Sequence, residues 1–343
     1  DLWRMDLADS RLDYLSDHIV DGISIMPAAG FFEAMLQAVS VHQPDTTSWR
    51  LSDISIEKAL VLSPDKPIFL QTQMTEDGNR ISVQSYNDTN PMQTVRHASC
   101  RIYPLIGGKK ERVDLQGILS KLDAPIGTNE IYKRFAGFSM HYGPAFQPIK
   151  ALRLSANRQE VLTEIELPEA LEDSLSDYIV HPSLLDGCFQ SVLSLLDPKD
   201  SAFLPTGIRD LRVYGALQKR FSCHGVVTTR RTRFVECNLT LIGEDGSVVA
   251  KITGLTCSAL AAKRTKREYP TGDHVYHWKP ALLDQKEAAF QRYLILSEPT
   301  VGSLSIVLKL QLEEIYGKNV TLGDWRNASN CQSLLQAPYD AVV

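Results

Sequence analysis

The stretch DHIVDGISIMPAAGFFEAMLQA, residues 17–38, sets one histidine, His18, ahead of a glycine, Gly22, and a proline, Pro27, and then runs into an apolar helix. Proline suits the first helical position, because its missing N–H would have no partner there. The pattern predicts a helix over residues 27–41. Phe31, Met35, Leu36 and Val39 give it an apolar side, and Ala28, Ala29 and Gly30 let another backbone come close. A second stretch of this kind, HPSLLDGCFQSVLSLLD at 181–197, opens its helix at Pro182. Leu184, Leu185, Cys188, Phe189, Val192 and Leu195 make it apolar nearly all round, as in a helix buried on most sides.

Strand signals follow each helix. They fall at 53–62, 68–74, 81–87 and 95–103 in the first half, and at 208–217, 221–229, 233–242 and 247–257 in the second. Asp77-Gly78 and Asp245-Gly246 mark tight turns at matching places. Pro27 and Pro182 lie 155 positions apart, and the strand starts Ile68 and Phe221 lie 153 apart, so the chain carries an internal repeat. Each copy reads as one helix and an antiparallel meander. A helix wrapped by a curved antiparallel sheet is a hotdog, and two fused copies make a double hotdog, an α+β fold. The expected halves are 1–125 and 126–262, joined through a weak helix at 127–138.

Beyond residue 262 the pattern changes. Residues 263–291, with the charged run AKRTKREYPTGD, read as a linker. Residues 292–343 read as a partial α/β, Rossmann-like fragment, with strands at 292–298, 319–325 and 339–343 and a helix at 302–317. It lacks G-x-G-x-x-G, so nucleotide binding is not expected of it. The chain opens in mid-strand and stops in a strand, which reads as an excised piece of something longer.

At 343 residues the chain is comfortable for two domains, and its 43% apolar and 22% charged residues are ordinary globular proportions. A net charge of −5 leaves no basic footprint for nucleic acid or an anionic membrane. The pairs Arg230-Arg231 and Lys109-Lys110 read as solvated faces. Six cysteines with no C-x-x-C pair read as free thiols in a reducing, cytoplasmic setting. No run of ~20 apolar residues crosses a bilayer, and no secretory signal opens the chain. Histidines at i, i+4 and cysteine clusters are both absent from the sequence, so no metal is expected.

His18 and Asp186 are the candidates for chemistry. A lone histidine most often just satisfies a carbonyl, and an acid near a helix start often just favours the helix dipole. The repeat brings the two helix starts to comparable places, and that favours a joint role. Asp186 sits among Leu184, Leu185, Cys188 and Phe189, where an ionised carboxylate is costly, so it is expected to keep its proton. Gln190, four residues on, shares its helical face and is placed to hold the carboxyl by a hydrogen bond. A neutral imidazole opposite a protonated carboxyl is a base and an acid set for an elimination.

Here a resemblance enters. HIVDGISIMP resembles the H-x-x-x-G-x-x-x-x-P motif of the dehydratase domains of polyketide synthases and animal-type fatty acid synthases, with His18, Gly22 and Pro27 in place. HPSLLDGCFQ resembles their H-P-x-L-L-D-x-x-x-Q segment, with Asp186 and Gln190, and Tyr142, Gly143, Pro144 and Phe146 match their Y-G-P-x-F segment. The LPTGI run at 204–208 and VYHWKP at 275–280 are further landmarks, and the likeness covers about residues 1–262. It implies the dehydratase domain of a reducing polyketide synthase. In it His18 removes the α-proton of a β-hydroxyacyl thioester, Asp186 protonates the departing hydroxyl, and a syn-type elimination leaves an α,β-enoyl thioester. It also implies no bound cofactor, a substrate carried on the 4'-phosphopantetheine of an acyl carrier protein, neighbouring synthase domains as partners, and a homodimer.

Backbone N–H groups near Gly22 or Ala28 are expected to polarise the thioester carbonyl. Tyr142 either lines the tunnel, hydrogen-bonding the leaving hydroxyl, or packs as a plain aromatic before Gly-Pro. His181 reads as structural, and His141 has no assigned role. The family's opening H-P-L-L-G segment and first strand are not found, which implies truncation. The residues after Lys263 resemble the start of the structural half of a ketoreductase. Three alternatives remain: double-bond isomerisation or cyclisation on the same fold, a catalytically silent structural double hotdog, and thioester hydrolysis.

Overall fold

The computed structural model describes residues 1–63, 68–86, 93–105, 111–196 and 203–259, together with the strands 293–297, 320–324 and 341–342. The chain divides into two compact units, Asp1–Thr265 and Lys266–Val343.

The first unit contains β1 (Leu2–Asp6), β2 (His18–Val20), β3 (Ile23–Ser24), α1 (Ala28–His42), β4 (Trp49–Ile56), β5 (Phe69–Met74), β6 (Arg80–Tyr86) and β7 (Val95–Pro104). It continues with α2 (Leu115–Leu119), β8 (Ile126–Gly127), α3 (Thr128–Ala136), β9 (Met140–Tyr142), β10 (Ile149–Leu154), β11 (Glu160–Glu166) and α4 (Pro182–Leu195). It closes with β12 (Phe203–Val213), β13 (Arg220–Arg231), β14 (Phe234–Gly243) and β15 (Val248–Ala259).

Twelve of these strands form one sheet, in the order β1-β5-β6-β7-β4-β12-β15-β14-β13-β11-β10-β8. Read outward from the antiparallel β4·β12 pair, the two halves repeat. Each helix is followed by its innermost strand, and the next three strands then stack in reverse order. A strand from before the helix comes next, β1 beside β5 and β11 beside β13, and β10 and β8 extend the second half beyond β11. This is the double hotdog.

The strand read at the opening of the chain is β1, which pairs with β5 from Leu2↔Gln73 to Asp6↔Phe69, so a strand precedes the first helix although the resemblance left the first strand unmatched. Two local expectations are corrected. The strands after the helices begin upstream of the predicted starts, at Trp49 and Phe203. Asp53, with φ 53°, and the Pro-Thr-Gly run at 205–207 read as breaks, yet both sit at register shifts that the sheet absorbs as bulges. Pro27 caps α1 in an extended conformation instead of opening it, whereas Pro182 does occupy the first turn of its helix.

The helices hold the core. All fourteen residues of α4 are buried, because the sheet wraps it and α1 packs beside it. His181 caps α4, its Nδ1 accepting from the Ser183 N–H at 3.2 Å. Burying a helix this fully leaves its polar side chains to find partners inside. Ser183 gives its Oγ–H to the Ala145 carbonyl at 2.5 Å and Ser191 to the Gly187 carbonyl at 3.0 Å.

In the second unit, β16 (Tyr293–Ser297), β17 (Val320–Asp324) and β18 (Ala341–Val342) pair in parallel with β16 central. The helix expected at 302–317 and the linker at 263–291 lie outside the described residues.

Candidate active site

The spacing from His18 to Gly22 has a geometric cause. β2 and β3 form a hairpin closed by Asp21 and Gly22, both at positive φ (55° and 78°), with Val20 opposite Ile23. Positive φ at both central residues is the type I′ turn that Asp-Gly favours. The hairpin returns Ile25 beside His18: the Ile25 N–H donates to the His18 carbonyl at 3.0 Å, and the His18 Nδ1 lies 3.0 Å from the Ile25 carbonyl. A carbonyl only accepts, so Nδ1 carries the hydrogen and Nε2 of the neutral ring keeps its lone pair.

On its other side β2 pairs with β9, placing His18 opposite Tyr142. Their rings are 5.5 Å apart, and Phe146 stands edge-on to His18 at 5.3 Å. Asp17 locks this junction. Its carbonyl accepts from the Gly143 N–H and its carboxylate from the Ala145 N–H, each at 2.8 Å. Gly143 allows this close approach, because a Cβ there would fall 2.3 Å from the Asp17 carboxyl carbon and displace the carboxylate.

α4 supplies the second group. The Asp186 Oδ1 lies 3.7 Å from the His18 Nε2, with both side chains under 10% exposed. Gln190 donates from Nε2 to the Asp186 Oδ2 at 2.8 Å and to the Phe146 carbonyl at 3.0 Å. Burial pushes the Asp186 carboxyl above the usual range, opposed in part by His18 and by the Gln190 hydrogen bond. Burial likewise raises Tyr142 well above an ordinary phenol, so its hydroxyl stays protonated.

His18, Asp186, Gln190 and Tyr142 line a cavity of about 290 Å³, whose apolar wall includes Phe31, Phe189, Leu193, Phe203 and Cys257. Ala28 also lines it, at the start of α1, while Gly22 stays in its turn outside the lining. Pro27 delivers the chain into α1. His141 points away on the exposed side of β9. Among the described residues no group of His, Cys, Asp and Glu is arranged to hold a metal, and no helix is long and apolar enough to cross a membrane.

Sequence reasoning passed over three residues: Asp17, Tyr132 and Glu33. The Tyr132 hydroxyl donates to the Gln190 Oε1 at 3.1 Å and accepts from the Ile149 N–H at 3.1 Å. Glu33, on α1, accepts from the Ile179 and Val180 N–H groups at 2.9 and 2.7 Å and from the Gln37 amide at 2.6 Å. Burial pushes its carboxyl up to about 7 against these hydrogen bonds. For Glu33 a signal existed: LSDHIV at 15–20 recurs as LSDYIV at 175–180, which aligns Tyr178 with His18 and points to α1 for a partner.

The comparisons point to one family. Residues 1–88 match the family model described as polyketide synthase dehydratase domain, and residues 110–267 match that of the polyketide synthase dehydratase N-terminal domain. A mycocerosic acid synthase-like polyketide synthase of Mycolicibacterium smegmatis is 26% identical over 259 residues. That alignment covers 74% of this chain and only 12% of the relative. The dehydratase domain from the CurF module of curacin polyketide synthase shares the fold with a TM-score of 0.67 at 23% identity, over 76% of this chain and 93% of that one. The CurK dehydratase, at 25% identity and a TM-score of 0.66 over 75% of this chain and 91% of its own, is known in two mutants described as inactive, one with histidine changed to phenylalanine and one with aspartate changed to asparagine. With two models spanning most of the double hotdog, the chain belongs to the polyketide synthase dehydratase family.

Proposed function

We propose that this domain removes water from a β-hydroxyacyl thioester, with His18 as base and Asp186 as acid. The observation that carries the reading is the buried pair itself: a histidine whose Nδ1 is tied to a carbonyl and whose Nε2 faces a carboxyl 3.7 Å away, in a cavity where burial favours that carboxyl's protonated form. The Nε2 lone pair takes the α-proton as the Cα–H bond breaks. Those electrons form the Cα–Cβ double bond while the Cβ–O bond breaks, and Asp186 gives its proton to the departing oxygen. Water leaves, and imidazolium and carboxylate remain side by side until one proton passes back.

Both groups act from one wall, which fits a syn elimination. Thioester polarisation falls to the first-turn amide at Ala28, because Ala28 reaches the cavity and Gly22 does not. Tyr142 donates to the β-hydroxyl and orients it. Gly22 and Pro27 shape the hairpin and the helix entry that aim His18. The elimination needs no cofactor of its own. The acyl group arrives on the phosphopantetheine arm of an acyl carrier protein, within a dimeric synthase of the cytoplasm.

Incubation with a β-hydroxyacyl pantetheine thioester, followed by mass spectrometry, tests this. The expected product has lost one water, and His18→Ala and Asp186→Asn each slow its formation by about 10²–10⁴. A free acid, a product of unchanged mass, or turnover retained in both variants would refute it.

A further inference from the structure

Tyr132 takes no part in the chemistry above, yet it begins a hydrogen-bond chain that ends on the acid. The Ile149 N–H donates to the Tyr132 oxygen, and burial keeps that phenol protonated, so its O–H is given to the Gln190 Oε1 at 3.1 Å. An amide whose oxygen is taken by a donor turns its NH₂ the other way. Gln190 accordingly offers its two N–H bonds to the Phe146 carbonyl and to the Asp186 Oδ2. An N–H aimed at Oδ2 favours that oxygen as the carbonyl-type acceptor, and a protonated carboxyl is then better served with its hydrogen on the other oxygen. The proton of a neutral Asp186 then sits on Oδ1, the oxygen that faces His18 and the cavity.

We propose that Tyr132 is a positioning residue that, through Gln190, selects which carboxyl oxygen of Asp186 carries the acid proton. Its rate test rests on the dehydratase reading; the proton placement does not. In Tyr132→Phe the Gln190 Oε1 loses its donor and only the Phe146 carbonyl still favours the present orientation of the amide; a turned amide accepts a hydrogen bond from a proton on Oδ2, where that proton points away from the leaving group. The titratable groups that face Asp186 are His18 from β2, Tyr142 from β9, Tyr132 from α3 and Cys188 on α4 itself. Only the Tyr132 hydroxyl is removed by this change.

The experiment compares wild type, Tyr132→Phe, Gln190→Ala and the double variant. Tyr132→Phe is expected to lower kcat about 3- to 10-fold with KM within about twofold, the size of one hydrogen bond lost from the transition state. The alkaline limb of kcat should move to higher pH, because Asp186 loses a donor that favours its carboxylate. In the Gln190→Ala background the same change should cost nothing further. A ¹³C NMR titration of the Asp186 carboxyl reads the same upward shift without turnover. An unmoved titration, an unmoved alkaline limb, an equal loss of kcat in the Gln190→Ala background, or a loss of thermal stability alone would overturn the proposal. A wild type without turnover counts against the dehydratase reading, and the carboxyl titration then still decides the role of Tyr132.

Discussion

Glu33 makes stability fall as pH rises, and the size of the effect follows from its surroundings. It is 4% exposed, its carboxyl bridges the Ile179 and Val180 amides, and its pKa is pushed up from 4.5 to about 7 by burial. A folded-state pKa above the unfolded one means the folded protein holds the proton more tightly. The contribution is therefore fully present below about pH 4.5 and is lost as pH rises through 7. The difference corresponds to about 3 kcal/mol in all, of which about 2–3 kcal/mol is lost between about pH 5 and about pH 9. Glu33→Gln removes the titration and leaves one acceptor in place of two, so it should be less stable than wild type at low pH, by about 1–3 kcal/mol, with a flatter pH dependence. Urea unfolding of both proteins across that range, monitored by tryptophan fluorescence, measures the difference in slope. Parallel curves for the two proteins would refute the reasoning. So would a wild type that gains stability relative to Glu33→Gln as pH rises.

The two glycines flanking His18 and Tyr142 should respond differently to alanine. Gly22→Ala meets nothing within 4 Å, so thermal unfolding should show only the backbone strain of φ +78°, about 1–2 kcal/mol. Gly143→Ala drives a methyl into the Asp17 carboxylate and frees the Ala145 N–H. It should cost about 1–3 kcal/mol and lower kcat by more than Gly22→Ala does, by loosening the strand that carries Tyr142; Tm and turnover measured together separate the two. Leu193→Trp narrows the apolar wall, so KM should rise at least about tenfold for long acyl chains and stay within about twofold for a four-carbon chain. Equal KM changes at every chain length would place Leu193 outside the acyl path.

What could be read in the sequence is what the chain encodes locally. Asp21-Gly22 fixes a hairpin within six residues, Pro182 with His181 fixes a helix start, and Asp186 with Gln190 share a face because a helix has 3.6 residues per turn. The repeat supplied the long-range part, since two copies of one fold place their helix starts alike. Asp17 and Tyr132 were illegible for a common reason, since each accepts from a backbone amide that carries no sequence signature; Glu33 does the same, and only the repeated hexapeptide pointed to it. Asp17 reaches Ala145 across 128 positions and Glu33 reaches Ile179 across 146. The shifted strand starts had a different cause. Asp53 and the Pro-Thr-Gly run look like breakers, and only pairing with neighbours on both sides turns them into bulges within long strands.

The hexapeptide repeat also bears on why the proposed His18–Asp186 centre has no matching pair at the second copy of the segment among the described residues. In the first copy the segment ends in a hairpin that aims His18 at Asp186. In the second, Tyr178 stands at the histidine's place, its hydroxyl accepting from Tyr14 at 3.2 Å, and the backbone after it runs straight into the cap of α4. The helix opposite each segment offers an acid with a glutamine four residues on, Asp186 with Gln190 on α4 and Glu33 with Gln37 on α1, and each glutamine donates to its acid. The acids differ in what they meet. Asp186 keeps one oxygen toward an imidazole, whereas both oxygens of Glu33 are taken up by the Ile179 and Val180 amides. A carboxyl spent on two backbone donors holds a segment in place and has no oxygen left for a substrate. The segment it holds is the one that leads, through His181 and Pro182, into the helix bearing Asp186. The second copy of the motif thus acts as a clasp on the segment leading to the first one's acid, and its buried carboxyl makes that hold depend on pH near 7.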